Sequence, residues 1–188
     1  MSEGAPAAGE PLASAPPFPR GRVLAVDYGE RRIGLAISDP LGIIATPAGA
    51  ILRRPGKRPP IAEIVRRAEA LDAVAFVLGL PLDGAGDDTP RALEVRRIGA
   101  ELERRTGRPV RLVDERYTTA AALRAVREMG GSVRGRKEDV DALAAAVLLR
   151  HALALLEQEA ARPASAASDD VPDGHVPESP TSPEPGLS

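Results

Sequence analysis

An α/β fold on a mixed five-stranded sheet is the class this sequence predicts, and three observations carry it. From residue 61 onward, short apolar runs alternate with amphipathic helical stretches, the rhythm of strand–helix–strand crossovers. Before residue 61, three apolar runs follow one another too closely to hold helices between them, so they form an antiparallel meander. Glycine, proline and threonine stand at the boundaries where turns and caps need them. The expected order is βββαβαβαα, with helices on both faces of the sheet.

The first strand is Arg22 to Asp27, an apolar run bounded by glycine. Tyr28 to Arg31 makes a turn into a second strand, Ile33 to Ser38, which Asp39-Pro40 stops. A third, less regular strand spans Ile43 to Leu52. Ile61, Ile64, Val65, Ala68 and Leu71 then fall on one face of a helix. Ala73 to Leu78 is an apolar strand. Thr89-Pro90 supplies an N-cap followed by proline at the first helical position, and Gly107 closes that helix. Val110 to Asp114 is the fifth strand. Thr118 or Thr119 caps the next helix, which Gly130 ends, and Gly131 to Lys137 is a Gly/Arg loop. The last helix runs from about Glu138 to Ala160, with Val140, Leu143, Ala144, Val147 and Leu148 as its apolar side.

Composition narrows the chemistry. The chain of 188 residues suits one domain with tails. Residues 1–20 and 163–188 are rich in Ala, Pro, Ser and acids, offer little to bury, and are expected to be disordered. Between them, the expected domain of residues 21–162 carries 24 basic and 20 acidic residues, a net of +4, while the C-terminal segment is acidic. There is no cysteine, which excludes disulfides, thiolate nucleophiles and Cys-based zinc sites. Histidine occurs only at 151 and 175, so a His-based metal cluster is excluded. His151 reads as a packing residue. No apolar run is long enough to span a bilayer, and no secretory signal is visible, so a cytoplasmic protein with no membrane partner is expected. The aromatics are Phe18, Phe76, Tyr28 and Tyr117, too few for a base-stacking platform; a nucleic-acid partner must be gripped by phosphate and shape.

The candidate chemistry lies at the carboxyl ends of the strands, where such sheets bind ligands. Asp27 ends the first strand, Asp114 and Glu115 end the fifth, and Asp139 and Asp141 open the last helix. Each has an ordinary reading when taken alone, as a turn cap, a surface pair or helix-dipole acids. Brought together, they would repel unless a cation sat among them. Oxygen donors without His or Cys select a hard ion, Mg²⁺ or Mn²⁺, and carboxylates holding such ions cleave phosphodiesters. Spacing alone leaves Asp114 against Glu115, and Asp139 against Asp141, undecided.

Four motifs then point to a family. Val26-Asp27-Tyr28-Gly29 with Ile33-Gly34-Leu35-Ala36, Gly79-Leu80-Pro81-Leu82, Asp114-Glu115-Arg116-Tyr117-Thr118-Thr119, and Val140-Asp141-Ala142 with Ala144-Ala145 occur in one order. Together they resemble the YqgF-type family of pre-16S rRNA nucleases, also described as Holliday-junction-resolvase-like proteins, over residues 21 to about 156. The resemblance implies an RNase H-like fold and a metal-dependent endonuclease of ribosome biogenesis, acting in 5′-end processing. It implies Asp27, Glu115 and Asp141 as catalytic and metal-binding acids. The segment Asp83-Gly-Ala-Gly-Asp-Asp-Thr89 departs from the family's usual Asp-Gly-Ser/Thr stretch, so no site role is given to Asp83, Asp87 or Asp88.

For substrate, Arg31, Arg116, Thr118, Thr119, Arg134, Arg136 and Lys137 are the candidates. The Arg134–Lys137 loop lies just ahead of Asp141 and could clamp a phosphate backbone; a second basic loop, Arg53, Arg54, Lys57 and Arg58, is the weaker candidate. The expected partners are structured RNA, branched DNA and ribosomal particles, and both a monomer and a homodimer are compatible. The alternatives are a Holliday-junction DNA resolvase and a non-catalytic nucleic-acid-binding module of the same fold. An ATP-binding half of a sugar-kinase-like protein is disfavoured, since it would need a second domain and a second phosphate loop.

Overall fold

The computed structural model describes residues 19–54, 56–116 and 137–161. The expected terminal tails, the helix capped by Thr118 or Thr119 and the body of the Gly/Arg loop lie outside the described residues. The elements are β1 (Arg22–Tyr28), β2 (Arg32–Ser38), β3 (Ala45–Leu52), α1 (Ile61–Ala70), β4 (Ala73–Leu80), α2 (Pro90–Thr106), β5 (Val110–Asp114) and α3 (Lys137–Ala161). The sheet order is β3-β2-β1-β4-β5, with β1, β4 and β5 parallel and β2 and β3 antiparallel to their neighbours. This is the mixed five-stranded sheet the sequence predicts. β1 lies at its centre, and β5 at one edge among the described strands.

Strand alternation divides the core in two. Leu24, Val26, Tyr28, Ile33, Leu35 and Leu78 point to one side, where Ile64, Ala68, Val95 and Leu102 of α1 and α2 cover them. Val23, Ala25, Ala36, Ala75 and Val77 point to the other, where Ala145, Leu148, Leu149 and Ala152 of α3 pack. The large aliphatics of the first side set a thick layer. On the second, alanine meets alanine, and the helix backbone comes down close to the sheet.

α2 begins and ends as its sequence requires. Thr89 Oγ1 accepts from Ala92 N–H at 3.0 Å and donates to the Pro81 carbonyl at 2.7 Å, with Pro90 opening the helix. Gly107, at φ 65°, ends it in the left-handed region, its N–H donating to the Glu103 carbonyl at 2.8 Å.

Two expectations need correction. β3 starts at Ala45 rather than Ile43. The Asp39 carboxylate accepts the backbone N–H groups of Leu41, Ile43 and Ile44, which draws those residues into the turn and leaves Ile43 and Ile44 exposed. The buried side of α3 also differs in part from the one expected: Ala144 and Leu148 are buried and Val147 packs against the core, but Leu143 does not. Leu143 is 45% exposed, and the sheet-facing arc is Asp141, Ala142, Ala145, Leu148, Leu149 and Ala152. Two residues advance about 200° around a helix, so turning Asp141 to the sheet turns Leu143 away.

Candidate active site

β1 places the first acid. Val23 and Ala25 face α3, so Asp27, two residues on, faces it too. Asp27 is fully buried, and Tyr28 after it, still within the strand, turns to the opposite core. The cross-strand partner of Asp27 on β2 is Gly34. On the other flank, Val26 pairs with Leu78, which sets Gly79 of β4 beside Asp27 one step further on.

These two glycines admit the other two acids. A Cβ on Gly34 would lie 2.0 Å from the backbone oxygen of Asp141, so the first turns of α3 rest on the bare backbone of β2. A Cβ on Gly79 would lie 1.6 Å from Glu115 Oε1, so the Glu115 side chain occupies the space a side chain at 79 would fill. Glu115 follows β5 directly, with its N–H donating to the Leu80 carbonyl at 3.2 Å. Asp141 is fully buried and Glu115 is 3% exposed. Asp27, Glu115 and Asp141 therefore lie on one face of the sheet, at one end, with Asp27 between the two glycines.

The neighbouring acids differ in their surroundings. Asp114 is partly exposed and bound by Arg116, whose Nη2 donates to Oδ2 at 2.7 Å and whose Nε donates at 2.9 Å. The Arg116 hydrogen bonds hold the Asp114 carboxyl below the usual aspartate range. Glu115 is the buried one of the pair. Asp139 lies in α3, and its side chain is outside the described residues.

The substrate candidates separate in the same way. Arg31 is exposed in the β1–β2 turn, where its carbonyl accepts from Arg53 N–H at 2.9 Å. Besides holding Asp114, the Arg116 guanidinium lies against Gly86, where a Cβ would come within 2.9 Å of it. Arg53 of the first basic loop bonds Glu94 at 2.6 Å and stacks over the Tyr28 ring at 4.6 Å, so it is committed to structure. Arg54, Lys57 and Arg58 are exposed. Thr118, Thr119, Arg134 and Arg136 lie outside the described residues; Lys137 opens α3. In the divergent loop, Asp83 Oδ1 accepts from the N–H groups of Ala85, Gly86 and Asp87, each at 2.9 Å, and Asp88 pairs with Arg96. Both acids have structural tasks.

Sequence reasoning missed Arg32. Ala36 of β2 faces α3, so Arg32 does as well, and its Nε lies 3.8 Å from Asp141 Oδ2. Strand parity was the signal that could have found it. The work done by Gly79 also had a signal, a glycine inside an otherwise apolar strand.

The donor set is oxygen only, as a hard divalent ion requires. Among the described residues, no three acidic or imidazole side chains are drawn tight enough to enclose an ion as they stand. Carboxylates without a cation between them repel, and Arg32 balances one of them.

The match to known proteins covers this same stretch. Residues 21–155 match the family model described as "RuvX: Holliday junction resolvase". The chain belongs to the RuvX family. A relative from Koribacter versatilis, named "Putative pre-16S rRNA nuclease", is 42% identical over 69% of this chain and 84% of its own. One of the same name from Kineococcus radiotolerans is 44% identical over 69% of this chain and 70% of its own. A solved structure, "T. thermophilus RuvC in complex with Holliday junction substrate", aligns at a TM-score of 0.47 with 13% identity, over 73% of this chain and 96% of that one. The RuvX chain is a nuclease, a hydrolase of phosphodiester bonds whose substrates are nucleic acids. No helix among its described residues is long and apolar enough to cross a membrane.

Proposed function

We propose that this RuvX protein is a divalent-metal-dependent endonuclease that processes the 5′ end of pre-16S rRNA in the cytoplasm, using Asp27, Glu115 and Asp141. One observation carries the reading: three buried carboxylates, from the central strand β1, the end of the edge strand β5 and the start of α3, share one face, and glycines 34 and 79 give the outer two their room. Burying carboxylates is costly unless a cation compensates them, which favours an ion-binding role over a packing role. Mg²⁺ or Mn²⁺ held there would supply activation of the attacking water and neutralisation of charge at the leaving oxygen. Asp27, on the central strand, with Glu115 and Asp141 on either side of it, would hold the ion. The rigid sheet fixes Asp27, and the two close approaches fix the others relative to it. In-line attack by water on phosphorus breaks the bond to the 3′ oxygen, leaving a 3′-hydroxyl and a 5′-phosphate. The nuclease domain spans residues 21–162.

The relatives' shared name favours RNA, and the family description, a Holliday junction resolvase, favours branched DNA. The test is cleavage of a 5′-extended precursor 16S rRNA fragment and of a four-way DNA junction, side by side. Each is run with Mg²⁺, with Mn²⁺, with EDTA, and with Asp27→Asn protein. Metal-dependent cutting of the RNA, lost in the variant, is expected. Cutting of the junction alone would keep the chemistry and overturn the rRNA assignment. Full activity in Asp27→Asn would overturn the site.

A further inference from the structure

We propose that Arg32 is a substrate-phosphate cation of this site, balancing Asp141 in the free protein and taking a nucleic-acid backbone phosphate in the complex. The inference rests on the nuclease reading and adds a residue that neither the motifs nor the family match assigns.

Four observations support it. Arg32 lies on the same strand face as Gly34, the partner of Asp27, so strand geometry directs its stem to the acid side. Its guanidinium is ion-paired with the fully buried Asp141, with Nε 3.8 Å from Oδ2. The side chain is 28% exposed, so it reaches both the acid and the solvent from which a substrate arrives. Its backbone is held within β2, paired with Leu52, so the charge is presented from a rigid element rather than a loop.

Electrostatics gives the position its purpose. Three carboxylates on one face and at one end of the sheet would repel a polyanion as well as one another. A guanidinium at their edge offsets that repulsion, and its planar fork matches the non-bridging oxygens of a phosphate. The neighbouring cations are less suited. Arg31 lies in the exposed turn, and Arg116 holds Asp114 and lies against Gly86.

The test is binding of the labelled precursor rRNA fragment and of the four-way junction to the full chain, across a potassium chloride titration. Asp27→Asn protein is used throughout to prevent turnover, with and without Arg32→Gln or Arg32→Lys. Arg66→Ala, an exposed position on α1, is the charge-matched control. Arg32→Gln is expected to weaken binding about tenfold at about 0.1 M salt and to lower the salt slope by about one, the signature of one lost phosphate contact. Arg32→Lys should restore most of the slope, and Arg66→Ala should leave it unchanged. A lower Tm for Arg32→Gln with an unchanged salt slope would overturn the inference, leaving Arg32 as a structural partner of Asp141. If wild-type protein cuts while that slope stays unchanged, the Arg32 assignment alone fails. Absence of binding to either nucleic acid would overturn both this inference and the nuclease reading beneath it.

Discussion

The two faces of the β1 centre differ more than their shared backbone suggests. Toward α1 and α2, Leu24, Val26 and Tyr28 are buried among large aliphatics. Toward α3, the alternate residues are Val23, Ala25 and Asp27, and the adjoining positions on β2 and β4 are Gly34, Ala36, Ala75, Val77 and Gly79. Asp27 and Tyr28 are chain neighbours, yet one lies among acids while the other closes a structural cluster. The Tyr28 hydroxyl donates to Glu94 at 3.2 Å, and Arg53 holds the same carboxylate from above the ring. One face is filled to hold the sheet. The other is thinned to alanine and glycine so that charged groups from a helix and a loop can come close. Side-chain bulk is reduced on one side, where the helix backbone and the Glu115 side chain come close to the sheet, and kept on the other.

The largest effect should come from the thinned face. Asp27→Asn is expected to slow cleavage about a thousandfold, about 4 kcal/mol of transition-state stabilisation, while its Tm is unchanged or higher because a repulsive buried charge is gone. A matching loss of fold, seen by circular dichroism, would mean that Asp27 is structural. The filled face should answer in the opposite sense. Leu24→Ala should cost about 3 kcal/mol in denaturant unfolding yet leave cleavage by the remaining folded protein near wild type.

Gly79→Ala lies between these extremes. Its added methyl meets Glu115 Oε1, so the side chain must move. We expect a stability loss of about 1 kcal/mol together with a fall in kcat and little change in KM. An unchanged kcat would separate Glu115 from the site.

The smallest effect concerns Tyr28. Burial, the leading cause, pushes its phenol up to about 12 from 10.0. The folded state thus retains the proton more tightly than the unfolded chain. Its contribution is complete below pH 10 and is lost as pH rises from there toward 12. Tyr28→Phe should cost about 1 kcal/mol at neutral pH and flatten the alkaline unfolding curve in that window, without changing cleavage.

The sequence made one face far more legible than the other. Alternating large aliphatics announce β1, β2 and β4, and Thr89, Pro90 and Gly107 mark α2 almost to the residue. The acids were legible as strand-end and helix-start residues. The side of α3 was legible only in part: Ala144, Val147 and Leu148 face the core, but alanine carries little hydrophobic signal and Leu143 drew the apolar stripe away from Asp141. Asp114 and Glu115 could not be ranked by spacing; in three dimensions the Arg116 fork engages Asp114, while Glu115 lies buried over Gly79. Arg32 went unnoticed beside Arg31, since only its strand face distinguishes the two.

The most direct measurement of the central claim is titration of the 188-residue chain with Mn²⁺, followed by electron paramagnetic resonance and calorimetry without substrate. Saturable binding that raises the Tm, falls at least tenfold in Asp27→Asn, and is unaffected by Leu24→Ala at a temperature where that variant is folded is the predicted result. Equal binding by wild-type and Asp27→Asn protein would contradict it.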